Sequence, residues 1–125
     1  MDMKLELVMV PVTDVDRARE FYERVGFVTD HDHEVSEEVR FVQMTPPGSA
    51  CSIAFGKGLT RLEPGSLDNL QMVVADADAV RAELAGRGVE VSEVDELRWG
   101  RFVFFADPDG NGWALQQLPD WSADA

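Results

Sequence analysis

The chain repeats itself. Val12 and Val74, Asp14 and Asp76, Ala18 and Val80, Tyr22 and Leu84, and Gly26 and Gly88 are all separated by the same 62 positions. The pairs fall at a strand end, a helix cap, two positions on the apolar side of a helix, and a helix stop. Two turns keep the register, Pro46 with Pro108 and Gly48 with Gly110. A duplication of this kind limits the architecture severely. Each copy must build the same supersecondary unit, and a unit too small to cover its own sheet needs its twin.

In the first copy, residues 5–12 read as a strand, with Val8, Val10 and Val12 on one face and Leu7 and Met9 on the other. Asp14 then caps an amphipathic helix whose apolar positions are Ala18, Phe21, Tyr22 and Val25, and Gly26 ends it. Strands are predicted over 27–32, 39–45 and 51–56, with turns at Ser36-Glu37-Glu38 and Pro46-Pro47-Gly48. The second copy predicts a strand over 70–74, a helix over 76–86, and strands over 89–94, 102–106 and 113–118. Residues 95–100 read as a connection, residues 107–112 as a turn, and the tail beyond Pro119 as a frayed end. The expected fold is α+β: one domain over 1–125, made of two tandem βαβββ modules at 3–56 and 69–118 joined by a breaker-rich linker at 57–68. The modules are expected to form a cupped mixed sheet with helices on its convex side, leaving the concavity for a ligand.

Charge narrows the partners. Twenty-four acidic residues against 11 basic ones give a net charge of −13, which repels phosphate backbones and anionic membranes alike. The expectation is no nucleic acid and no membrane partner. A single cysteine, Cys51, permits no internal disulfide, and the sequence has neither an apolar leader nor a membrane-length apolar run. These features together predict a cytoplasmic protein.

Two stretches, residues 12–27 (Val-Thr-Asp-Val-Asp-Arg-Ala-Arg-Glu-Phe-Tyr-Glu-Arg-Val-Gly-Phe) and Asp107-Pro-Asp-Gly-Asn111 followed by a strand, resemble the vicinal oxygen chelate superfamily. That superfamily includes glyoxalase I, bleomycin-resistance proteins and extradiol dioxygenases. Together with the repeat, the resemblance covers roughly residues 3–118. It implies the glyoxalase/bleomycin resistance/dioxygenase fold. It also implies four metal-ligand positions, one on each of four strands, which in this chain fall on Leu7, Ala54, Asn69 and Ala114. Ser52, on the face of Ala54, is no better a ligand. Zn²⁺, Ni²⁺ and Fe²⁺ require imidazole, thiolate or carboxylate donors, so no metal and no cofactor are expected here. The resemblance is to the metal-free, bleomycin-resistance-like branch.

Other chemistry is thin. His31 and His33, the only histidines, share one strand face by their spacing and read as an exposed polar strand end beside Asp30, Asp32 and Glu34. Cys51 lacks an activating base nearby in sequence and reads as a small strand residue. Residues 107–112 lack the ligand series of a calcium loop. What remains is a pocket surface. Alternation puts Leu7, Met9, Ala54, Asn69, Gln71, Ala114 and Gln116 on the concave face, with Phe102, Phe104 and Trp99 adding aromatic area. Trp113, by its phase, belongs under a helix.

A mostly apolar cup with a few amides suits a small aromatic or polycyclic molecule oriented by hydrogen bonds, as in antibiotic sequestration. The alternative is a lyase, isomerase or dioxygenase-like enzyme of small-molecule metabolism, metal-free or with a displaced metal site. The expected partners are a small-molecule ligand and a second copy of the chain in a homodimer.

Overall fold

The structure, a computed structural model, describes residues 1–120. Its elements run β1 (Leu7–Met9), α1 (Val15–Val25), β2 (Val28–Glu34), β3 (Arg40–Thr45) and β4 (Ser52–Lys57). They continue with β5 (Leu70–Val73), α2 (Ala77–Gly86), β6 (Asp95–Leu97), β7 (Gly100–Ala106) and β8 (Gly112–Gln117). This is the βαβββ order twice, in two mixed four-stranded sheets ordered β1-β4-β3-β2 and β5-β8-β7-β6. The first strand of each sheet runs parallel to the last, and the other pairings are antiparallel.

Both helices begin and end as the repeat requires. Asp14 and Asp76 have extended backbones, and their carboxylates accept from the amides of Arg17 and Ala79, three residues on. At the other ends Gly26 (φ +122°) and Gly88 (φ +82°) turn the chain left-handed. The Phe27 amide then bonds the Tyr22 carbonyl, and the Val89 amide bonds that of Leu84. That six-to-one closure satisfies carbonyls the helix would otherwise leave open. In the first unit the apolar contact that accompanies such a cap is aromatic, Tyr22 against Phe27 with ring centres 5.2 Å apart.

The chain forms two units. The first comprises Met1–Leu67 together with Asp107–Asn111, and the second holds Asp68–Ala106 and the described residues from Gly112 onward. In the first, α1 covers Val42, Met44, Ile53 and Phe55, all buried, and seats Ala18 and Tyr22 against them. In the second, α2 lies on the face of Leu115, Val103, Phe105 and Trp113. The Phe105 and Trp113 rings stack there 6.0 Å apart.

Two strands differ from the sequence expectation. Residues 89–94 form no strand, and the second strand of this unit in chain order is β6, within the expected connection. The cause is Ser92. Its amide donates to the Phe104 carbonyl as a ladder residue would, but its hydroxyl takes the place of its own carbonyl as acceptor for the Phe104 amide. The Ser92 carbonyl is bound instead by Arg81 Nε at 2.8 Å. A side chain that competes for ladder bonds interrupts the strand locally. β1 is shorter than expected because Pro11 has no amide to give, although Glu6 and Val10 still exchange bonds with β4. The fraying expected beyond Pro119 falls largely on residues 121–125, outside the described residues.

The helix-side surface of the first sheet carries an ion-pair network. Arg40 grips Asp32 with two bonds of 3.0 and 2.9 Å and reaches Asp16 at 2.9 Å, while Arg19 reaches Asp32 at 2.6 Å. Hydrogen bonding from Arg40 holds the Asp32 carboxyl below the usual range, overcoming the opposing effect of desolvation. A carboxyl whose pKa is depressed by folding contributes stability above its unfolded pKa and loses it as pH falls through the folded value. The stability advantage of the parent over Asp32→Asn is therefore expected to hold at neutral pH. It should shrink as the pH is lowered below about 4, as followed by urea denaturation at a series of pH values.

Candidate ligand-binding site

Each sheet has one face under a helix and one face turned away from it. On the first sheet the cross-strand register puts Leu7, Met9, Ser52, Ala54, Phe41, Gln43, Thr45, His31 and His33 on the second kind of face. A bulge between Thr29 and His31 adds Asp30 to that side, where its carboxylate accepts from the Thr45 hydroxyl. Thr45 in turn lies 2.7 Å from the Ser52 hydroxyl, which receives Gln43 Nε2 at 3.4 Å. The His31 and His33 rings stack with centres 5.6 Å apart on the exposed edge strand.

On the second sheet the corresponding face holds Gln71, Val73, Ala114, Gln116, Phe102, Phe104 and Asp95. The Phe102 and Phe104 rings are nearly parallel, 7° apart in tilt with centres 5.9 Å apart. Gln71 Nε2 donates to Gln116 Oε1 at 2.5 Å, and Gln116 Nε2 donates to the Trp99 carbonyl at 2.7 Å. That carbonyl belongs to the β6–β7 turn, where Trp99 is 57% exposed. Trp113 lies on the helix-covered face.

Strand alternation thus groups Leu7, Met9 and Ala54 on one sheet, and Gln71, Phe102, Phe104, Ala114 and Gln116 on the other. Asn69 stands apart. It precedes β5 in a left-handed conformation (φ +57°), so the alternation that orders Gln71 does not extend to it. Burial also divides the set. Ala54, Ala114 and Phe102 are closed off, at 0%, 2% and 4% exposure, and Gln116 is buried as well, whereas Gln71 and Trp99 are open and Phe104 partly so. Sequence reasoning read Asp30 only as part of an exposed strand end and passed over Phe41, Gln43 and Thr45. The same alternation applied to β3 would have found Phe41, Gln43 and Thr45, but the bulge that turns Asp30 to this face has no sequence signal.

No described strand position on either of these faces is a lysine or arginine. Arg40, Lys57 and Arg101 alternate to the other sides, where Arg101 pairs with Asp78 at 2.7 Å. Among the described residues no three His, Cys, Asp or Glu side chains gather as a metal-ligand set. The chemistry of the four positions named by the resemblance agrees, since Leu7, Ala54 and Ala114 have no donor atom and Asn69 has only an amide. These residues do not fit a divalent metal.

The most heavily wired polar cluster is elsewhere. In the turn Asp107-Pro-Asp-Gly-Asn111, Asn111 is fully buried and Asp107 nearly so. Asn111 Nδ2 donates to the Pro11 carbonyl at 2.8 Å and to Asp107 Oδ2 at 2.9 Å, and its Oδ1 accepts from the Leu67 amide. The Tyr22 hydroxyl donates to Asp107 Oδ2 at 2.8 Å, and Asp109 accepts from the hydroxyl and amide of Thr13. Gly65 (φ +78°) passes so close that an added Cβ would sit 2.1 Å from the Asp109 carbonyl oxygen. The turn is a structural element of the first unit.

A family model for the Glyoxalase/Bleomycin resistance protein/Dioxygenase superfamily matches residues 4–115. The chain belongs to this superfamily. Among its members, TnmS3, an antibiotic binding protein from Streptomyces sp. CB03234, shares 36% identity and a TM-score of 0.85, covering 94% of this chain and 98% of that one. A glyoxalase/bleomycin resistance protein from the same strain shares 37% identity at a TM-score of 0.79, covering 91% of this chain and all of that one. The uncharacterized protein YetH of Bacillus subtilis (strain 168) is 27% identical over 113 residues, spanning 88% of this chain and 94% of its own. Among the described residues no helix is long and apolar enough to cross a membrane.

Proposed function

We propose that the protein binds a small aromatic or polycyclic molecule and holds it unchanged, without a metal ion or other cofactor, as a sequestering protein of the antibiotic-binding kind. The observation that carries this reading is the surface of the second sheet away from its helix. Phe104 presents a partly exposed ring backed by the parallel, buried ring of Phe102, Trp99 is exposed at the β6–β7 turn, and the open Gln71 lies in the same cross-strand row as Phe104, with Ala114 between them. Stacked aromatic rings with a few fixed polar groups favour a planar ligand and set its orientation. The likeness to TnmS3, described as an antibiotic binding protein, supports the same reading. The aliphatic side chains at three of the four family ligand positions support the metal-free part of it.

The test is titration of aromatic natural products into EDTA-treated protein, with recovery of the ligand afterwards. Saturating ligand is expected to raise the melting temperature, since binding at 100 times Kd adds about 2.7 kcal/mol of native-state stability. EDTA alone is expected to leave the melting temperature where it was, because no metal is coupled to folding. A retained stoichiometric transition metal, a loss of stability in EDTA, or recovery of a converted product would each overturn the reading.

The chain is further proposed to act as a homodimer in the cytoplasm, in keeping with its lone cysteine and with the exposed edges of β2 and β6. Sedimentation at micromolar concentration is expected to give twice the chain mass of 13.9 kDa. A monomer alone would refute the dimer.

A further inference from the structure

We infer that Asn111, with Gly112 after it, is a self-modifying site. It is inert while the protein is folded, and in the unfolded chain it converts to aspartate or isoaspartate and makes unfolding irreversible. The inference is independent of the binding role proposed above. It comes from a motif that the proposed ligand surface does not use.

The chemistry needs no partner but water. The backbone nitrogen of Gly112 attacks the side-chain carbonyl carbon of Asn111, a C–N bond forms, and the side-chain nitrogen leaves as ammonia. Water then opens the cyclic imide at one carbonyl or the other, giving aspartate or isoaspartate. A glycine in the following position favours the attack, because no Cβ restricts the approach of its nitrogen. The chain has two asparagines, and the other, Asn69, is followed by the bulky Leu70.

The folded structure withholds what the reaction needs. Asn111 is 0% exposed, so water does not reach the leaving nitrogen. That nitrogen donates to the Pro11 carbonyl at 2.8 Å and to Asp107 Oδ2 at 2.9 Å, while Oδ1 accepts from the Leu67 amide at 3.1 Å. The main chain is held too. The Asn111 amide donates to Asp107 Oδ1, and the Asn111 carbonyl accepts from the Asp107 amide, both at 3.0 Å. Swinging the side chain round for attack breaks its bonds in a closed site, where unpaired polar groups are costly. Protection is therefore as strong as the fold itself.

The products do not fit back. Aspartate puts a carboxylate oxygen where Nδ2 was, against the Pro11 carbonyl and the buried Asp107 carboxylate. Isoaspartate instead adds a methylene to the main chain, inside a turn whose Gly110 amide closes on the Asp107 carbonyl at 2.9 Å. The working life of the protein is then set by how often it unfolds.

The test holds the full chain, with Cys51 kept reduced, in guanidinium chloride and in native buffer at the same mildly alkaline pH. Peptide mass analysis reads the amide-to-acid mass gain at Asn111, and dilution reads the fraction that refolds. Isomerisation at Asp109-Gly110 changes no mass, so the reading belongs to Asn111. In denaturant the loss of refolding is expected to track conversion at Asn111, with Asn69 at least ten-fold slower. In native buffer conversion should be at least a hundred-fold slower than in denaturant. Gly112→Ala is expected to slow conversion in denaturant at least ten-fold, a reading that does not depend on whether the variant folds. Equal conversion in the two buffers overturns the protection, and converted chain that refolds to the stability of the parent overturns the irreversibility. An amide that survives in denaturant, or a Gly112→Ala chain that loses it as fast as the parent, overturns the site.

Discussion

Asn111→Ala is expected to cost about 3 kcal/mol of folding stability, lowering the melting temperature by about 10 °C for a chain of this length. The side chain is wholly enclosed and makes three bonds, two donated and one accepted. Truncation leaves the Leu67 amide without its acceptor, takes one partner from the Pro11 carbonyl, and takes another from Asp107. The Pro11 carbonyl keeps a longer bond from the Gly65 amide, so the loss there is partial. Asn111→Asp tests the polarity. It preserves an acceptor for Leu67 but brings a carboxylate against the Pro11 carbonyl and Asp107 Oδ2, and it is expected to be worse than alanine. Urea denaturation of the three proteins gives the order directly. If alanine and asparagine are equally stable, the turn is held by something other than this network.

Tyr22→Leu is expected to destabilise the protein by about 3 kcal/mol or more. The substitution installs the residue that the repeat places at position 84, so it asks why the two copies diverged. Tyr22 is fully buried, its ring packed against Phe27 and Phe55 at 5.2 and 5.8 Å, and its hydroxyl binds Asp107 at 2.8 Å. Leu84 lies in the second unit, at the Leu84–Val89 end of α2, and carries no hydroxyl for a turn to use. Tyr22→Phe separates the two contributions. It keeps the ring and removes only the bond to Asp107, for an expected loss of about 1–2 kcal/mol. A neutral Tyr22→Phe would show that the hydroxyl does not secure the turn.

These two residues also mark where the sequence stops being legible. Tyr22 is recognisable as an apolar helix position and Asp107-Pro-Asp-Gly-Asn111 as a turn, yet nothing in either stretch announces that one binds the other. The partners are 85 residues apart. A turn residue that serves only its own backbone and one that serves a distant segment are written with the same letters.

The candidate site divides in the same way. Period-two alternation groups Leu7, Met9 and Ala54, and Gln71, Phe102, Phe104, Ala114 and Gln116, as the cross-strand register also groups them, because side-chain direction in a strand is a local property. It overreaches at Asn69, where a left-handed residue breaks the alternation. Nor can it tell that Ala54, Phe102 and Ala114 are buried while Gln71 is exposed, since exposure depends on neighbours the local pattern does not contain.

By itself, then, the amino-acid sequence determined the duplication, the βαβββ order, the helix caps at Asp14 and Asp76, the stops at Gly26 and Gly88, and the side of the sheet most residues face. Each depends on backbone preferences within a few residues. Tertiary structure alone decided that Ser92 interrupts one strand and β6 replaces it, that the Asp107–Asn111 turn belongs to the first unit, and that Gln116 is held between the Trp99 carbonyl and the Gln71 amide. A hydrogen-bonding side chain has several possible partners. Which of them it meets is fixed only when distant segments of the chain come together.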